Sequence, residues 1–97
     1  MRGIHCTVAY DGESALASMA AEEPAVMVLD LRMPGIGGLD VLRQAKRETP
    51  QMEVIILTGH GSTADKEICL ALGAFDYFQK PVDIELLSSA IKRAAGA

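Results

Sequence analysis

Residues 26–34, Val-Met-Val-Leu-Asp-Leu-Arg-Met-Pro, constrain the fold more than any other segment of this chain. Four apolar residues lead directly into one acid, Asp30, and Pro34 with Gly35, Gly37 and Gly38 then stops the run. An apolar stretch of strand length bounded by turn residues reads as a strand buried on both faces, the kind found in parallel sheets. Open parallel sheets gather their ligands beyond the carboxyl ends of the strands, and Asp30 stands at such an end. A lone acid there also serves as a helix cap or loop solubiliser, so its meaning depends on what accompanies it.

Two further strands end in a polar group. Glu53-Val-Ile-Ile-Leu-Thr58 delivers a hydroxyl before Gly59-His60-Gly61, and Ala74-Phe-Asp-Tyr-Phe-Gln-Lys80 delivers an ammonium before Pro81. If the three strands are parallel neighbours, a carboxylate, a hydroxyl and an amine converge on one sheet edge. A carboxylate is a nucleophile suited to forming an aspartyl phosphate. A hydroxyl and a lysine are suited to holding phosphoryl oxygens.

With these residues in view, the chain resembles the receiver domain of two-component response regulators. The resemblance rests on Leu29-Asp30-Leu31-Arg32-Met33-Pro34 with Gly38, on Leu57-Thr58-Gly59, and on Gly73-Ala74-Phe75-Asp76-Tyr77-Phe78-Gln79-Lys80-Pro81. Each motif alone is weak; all three in this order and at this spacing are specific, and they span nearly the whole chain from His5 to Ala94. The resemblance implies a flavodoxin-like α/β fold, a doubly wound parallel sheet of order 2-1-3-4-5. It implies phosphorylation at Asp30, with Thr58 and Lys80 as the other catalytic residues. Thr58 and Tyr77 become switch residues and Lys80–Pro81 a cis bond. Magnesium is implied at Asp30 and the backbone carbonyl of Arg32.

The chain of 97 residues is long enough for one domain with one core, and 49% hydrophobic residues suffice to build it. A net charge of −4, with both signs interspersed, argues against a direct grip on nucleic acid. The apolar runs are too short to span a membrane, and no secretory leader precedes the domain. Cys6 and Cys69 lack any metal-ligand or CxxC context, so two reduced, buried thiols in a cytoplasmic protein are expected.

Strand and helix alternate along the chain. Ile4 to Tyr10 reads as a strand, and Asp11 caps a helix to about Glu23 with Ala15, Leu16, Met19 and Ala20 as its apolar stripe. After the Asp30 strand, Leu39 to Glu48 is helical, with Leu39, Leu42 and Ala45 inward and Arg43, Lys46 and Arg47 in solvent. Ser62 to Leu72 is a helix stopped by Gly73. Asp83 caps the last helix, whose core side is Ile84, Leu87, Ala90 and Ile91.

Only four strands are legible, one fewer than the family's five. Against the family the chain starts at about the second strand, as a receiver of four βα units with no output domain, and a shortened form of an ordinary receiver is the expectation. The Ile4–Tyr10 strand then either slides over to pair with the Asp30 strand or takes a partner from another molecule. The face normally covered by the missing helix is expected to leave Val and Ile side chains in water, favouring a homodimer or larger assembly. The family's paired acids are also missing, and Asp11, on the correct edge, reads better as a helix cap. With one carboxylate, magnesium binding is expected to be weak or absent.

Against each role stands a plainer one. Thr58 can be a β-branched strand residue, Lys80 a surface lysine and Tyr77 a core aromatic. His60 reads as a loop residue and His5 as a strand-face residue. Met19, Met27, Met33 and Met52 read as core filler or loop residues.

Three functions compete. The first is a phosphorylation-dependent signalling module rather than an enzyme. Asp30 accepts the phosphoryl group from a sensor histidine kinase or a histidine phosphotransfer protein, and an output domain or partner protein reads the change. The second is a receiver-like interaction module that takes no phosphate. The third is a phosphatase of the haloacid-dehalogenase type, which needs a second Asp two residues after the nucleophile; here that residue is Arg32.

Overall fold

A computed structural model describes residues 6–9, 17, 24–31, 36–59 and 63–96. Its strands are β1 (Cys6–Ala9), β2 (Val26–Leu31), β3 (Glu53–Thr58) and β4 (Asp76–Gln79). The helices are α1 (Ile36–Glu48), α2 (Thr63–Ala71) and α3 (Ile84–Ala95). All neighbouring strands are parallel, in the order β1-β2-β3-β4. The expected helix over 11–23 lies outside the described residues except for Ala17, which is helical.

The alternation of side chains along each strand divides the core into two layers. Met27, Leu29, Val54, Ile56 and Tyr77 face Val41, Leu42 and Ala45 of α1 and Cys69 of α2. Val26, Val28, Ile55 and Leu57 face Ala90 and Ala94 of α3, with Phe75, Phe78, Leu87 and Ile91 around them. Helices on both faces make this the expected doubly wound sheet. Of the two alternatives for the first strand, pairing with the Asp30 strand is the one found: Cys6 is opposite Val26 and Ala9 opposite Leu29. The face beneath α3 is less bare than expected, because Val26, Val28 and Ile55 are at most 1% exposed. Val8, on the outer strand, is the exception at 48%.

The helix ends follow their local chemistry. The Asp83 carboxylate accepts a hydrogen bond from the Glu85 N–H at 2.8 Å, capping α3. At the end of α2, the Gly73 N–H donates to Leu70 O and the Ala74 N–H to Cys69 O, a Schellman closure. Gly73 takes the positive φ of 108° that this closure asks for.

Four expectations are corrected. Helix α1 begins at Ile36, ahead of Leu39, because its first residues include Gly37 and Gly38, which a propensity argument discounts. Lys46 is not a solvent residue: its Nζ donates to Pro50 O (3.0 Å) and Met52 O (2.9 Å) and lies 3.5 Å from Glu53 Oε1. Ile84 is 74% exposed, because the first turn of α3 overhangs the sheet edge and only its later turns pack down. Cys69 is buried but Cys6, on the outer strand, only half-buried. Both are free thiols, and burial raises the pKa of each, with Asp65 adding to the rise at Cys69.

Candidate functional site at the carboxyl edge of the sheet

Parallel pairing brings the ends of β2, β3 and β4 to one edge. Asp30 is the fifth residue of β2, one past Leu29, the last residue paired with β1. Thr58 ends β3 and is fully buried. Lys80 follows β4 directly, and its N–H donates to Thr58 O at 2.7 Å, tying the lysine's backbone to the hydroxyl residue. The Lys80–Pro81 bond is cis, as the resemblance implied.

The central contact joins Lys80 Nζ to Asp30 Oδ1 at 2.7 Å. The Asp30 side chain is 13% exposed and that of Lys80 40%, so the carboxylate lies within the edge while the ammonium reaches it from the rim. The two groups are not aligned as a hydrogen bond, and Oδ1 has no other polar partner among the described residues. The contact is therefore an electrostatic one. It puts a cation at hand for the charge on an incoming group.

The register offsets two of these groups. Thr58 stands opposite Leu31, whereas Asp30 stands opposite Leu57, so hydroxyl and acid are offset by one residue. By strand alternation Asp30 shares the α3 side with Val28, and Thr58 the other side with Ile56. The site straddles the sheet edge.

Tyr77 is opposite Ile56 and only 8% exposed, held in the layer beneath α1 and α2. Its hydroxyl is buried with no hydrogen-bond partner among the described residues. Burial raises its pKa, and Asp65 and then Cys69 add to the rise. Arg32, Asp11, His5 and His60 lie outside the described residues.

The family resemblance implies magnesium, which takes six oxygen ligands in octahedral geometry and is usually held by one or two carboxylates. Among the described residues no three acids, histidines or cysteines cluster, and the Asp30 carboxylate faces an ammonium. This described donor set does not fit the ion. Nor does any described helix have the length and apolarity to cross a membrane.

Sequence reasoning missed Lys46 and Arg93. The Arg93 guanidinium lies 5.9 Å from the Phe75 ring centre and 3.8 Å from Asp76 Oδ2, fastening α3 to the start of β4. Both residues are basic groups in the last turn of a helix, a position that favours carbonyl and acid partners. That signal was available.

Known proteins agree with this geometry. The family model of the response regulator receiver domain matches residues 1–92. The DNA-binding transcriptional regulator NtrC of Salmonella typhimurium is 39% identical over 92 residues, 95% of this chain and 20% of that protein. The probable transcriptional regulatory protein TcrX of Mycobacterium tuberculosis is 40% identical over 83 residues, 86% of this chain and 36% of that protein. Among solved structures, a receiver domain from Clostridium thermocellum has a TM-score of 0.81 at 28% identity, covering 96% of this chain and 95% of that one. The receiver domain of the Francisella response regulator 1452 has a TM-score of 0.83 at 24% identity, covering 97% and 98%. The chain thus spans about a fifth of the length of its NtrC relative.

Proposed function

Since this chain belongs to the response regulator receiver domains, we propose that it is a phosphorylation-dependent signalling module whose acceptor is Asp30. The observation that carries the reading is the 2.7 Å approach of Lys80 Nζ to Asp30 Oδ1 at the carboxyl edge. An Asp30 oxygen attacks the phosphorus of the donor. Lys80 then transfers its attraction from the carboxylate to the new phosphoryl oxygens, and the Thr58 hydroxyl is placed to follow it. Because Lys80 and Thr58 are joined through the backbone, movement of one reaches the other. Tyr77, one strand away from Thr58 in the same layer, is the group that reports the change.

The donor in this reading is a sensor histidine kinase or a histidine phosphotransfer protein in the cytoplasm. The reader is an output domain or a partner protein. DNA binding, part of the name of the NtrC relative, is not assigned to this domain. Exposed Val8 on the outer strand supports self-association as a further contact. The protein is a phospho-acceptor that takes part in its own phosphorylation, and not an enzyme acting on other substrates.

The test is intact mass after incubation with acetyl phosphate. The parent chain is expected to gain one phosphoryl group and Asp30→Asn none. Equal gain by both forms removes Asp30 from the role. A second reading, a receiver-like interaction module that takes no phosphate, draws on the lack of a three-ligand metal cluster among the described residues. Partner binding by a chain that gains no mass would favour it.

A further inference from the structure

We propose that Lys80 supplies the positive charge that a divalent metal would otherwise bring, so that Asp30 is phosphorylated without metal. The inference rests on the reading of Asp30 as acceptor. It starts from a disagreement between the family's usual ion and the groups present. The Lys80 ammonium lies 2.7 Å from Oδ1, and among the described residues no three acids, histidines or cysteines gather where a metal could be held.

Competition for one oxygen makes the argument. A magnesium ion on Oδ1 would sit about 2.1 Å from it. The ammonium already lies 2.7 Å from that atom, so an ion bound there would be repelled at close range and held less tightly. A cluster of ligating side chains would tip the balance toward the ion, and among the described residues no group of three exists. Lysine therefore holds the place, reaching in from a rim where its side chain is 40% exposed and has room to move.

The same placement serves the transfer. One Asp30 oxygen bonds to phosphorus. The bond from phosphorus to the donor oxygen breaks, its electron pair leaving with the acetate of an acyl phosphate, and no proton has to move. The Asp30 carboxylate loses its negative charge, acetate leaves with one, and the incoming phosphoryl oxygens bring their own, so the ammonium follows them with a short side-chain movement. Buried Thr58, anchored beside Lys80, limits how far that movement goes.

The experiment measures intact mass of the 97-residue chain after acetyl phosphate, in chelator and in millimolar magnesium. The two solutions are expected to agree within about two-fold, where a metal acting as a principal charge stabiliser would separate them by about 100-fold. Lys80→Gln is expected to lose phosphorylation in both solutions, and Lys80→Arg to restore part of it, which separates charge from folding. Asp11→Asn, removing an acid near the end of the first strand in sequence, is expected to match the parent. A parent that gains mass only with magnesium overturns the inference and leaves Asp30 as acceptor. So does an Asp11→Asn chain that gains none, or a Lys80→Gln chain that behaves as the parent. Equal mass gain by Asp30→Asn removes the underlying reading instead, and a parent that gains nothing in either solution removes both.

Discussion

Replacing Tyr77 by Phe should stabilise the fold. The ring fills the layer beneath α1 and α2 with 8% of its surface exposed, and Phe keeps that packing. What it removes is a buried hydroxyl that has no hydrogen-bond partner among the described residues. Burying an unpaired polar group costs about 1–3 kcal/mol. Phe recovers most of this, less a small loss where the oxygen filled space, so a net gain of about 1–2 kcal/mol is expected. In a domain of this size each kcal/mol moves Tm by about 4–8 °C.

The pH dependence gives an independent check. Burial, Asp65 and Cys69 raise the Tyr77 pKa, so the folded chain keeps the phenol proton at pH values where the unfolded chain has released it. The stability held in that proton is complete below the ordinary tyrosine value of about 10 and is lost as pH rises beyond it. Urea titrations of parent and Tyr77→Phe at neutral pH and near pH 10.5 measure both effects. The midpoint should rise in the variant with unchanged slope, and the gap should widen in alkali. A less stable variant would show that the hydroxyl is bonded in the folded state. A gap unchanged by pH would show that the phenol titrates normally there.

Other substitutions probe single supports. Gly73→Ala places a Cβ at a φ of 108° and 3.1 Å from the Lys46 Cγ, and should cost about 1–2 kcal/mol in urea. Asp83→Ala removes the α3 cap and should cost about 1 kcal/mol. Lys46→Ala strips two loop carbonyls of their donor and should cost about 1–3 kcal/mol; a cost below about 0.5 kcal/mol would place those carbonyls in water already. Lys80→Ala should gain no phosphoryl mass from acetyl phosphate while the chain still melts cooperatively. A mass gain equal to the parent's counts against the lysine's part in the transfer.

What was legible in the sequence was whatever local chemistry decides alone. An apolar run ending in an acid and glycines can hardly be other than a buried strand and its turn, and β2 and β3 came out within a residue of expectation. Gly73 and Asp83 were legible for the same reason, since only certain residues close a helix in those ways. Ile84 was not. Helical spacing marks it as core exactly as it marks Leu87, but spacing cannot tell how far a helix overhangs its sheet. Lys46 was misplaced because charge suggests water, whereas its stem covers a turn and its head meets carbonyls that the chain brings there only when folded.

The site shows the same division between local and tertiary information. The residue types at the edge, an acid, a hydroxyl and an amine each ending its own strand, follow from strand boundaries and needed no tertiary knowledge. Their relation did need it: register offsets Thr58 from Asp30 by one residue, and a single 2.7 Å contact decides which cation faces the acid. That contact bears on function more than the motif does. A carboxylate beside an ammonium starts from near charge balance, and phosphorylation then changes which oxygens the lysine attracts more than it changes whether a lysine is present. A domain built this way is expected to switch by repositioning Lys80 against Thr58, with the rest of the sheet as a rigid frame.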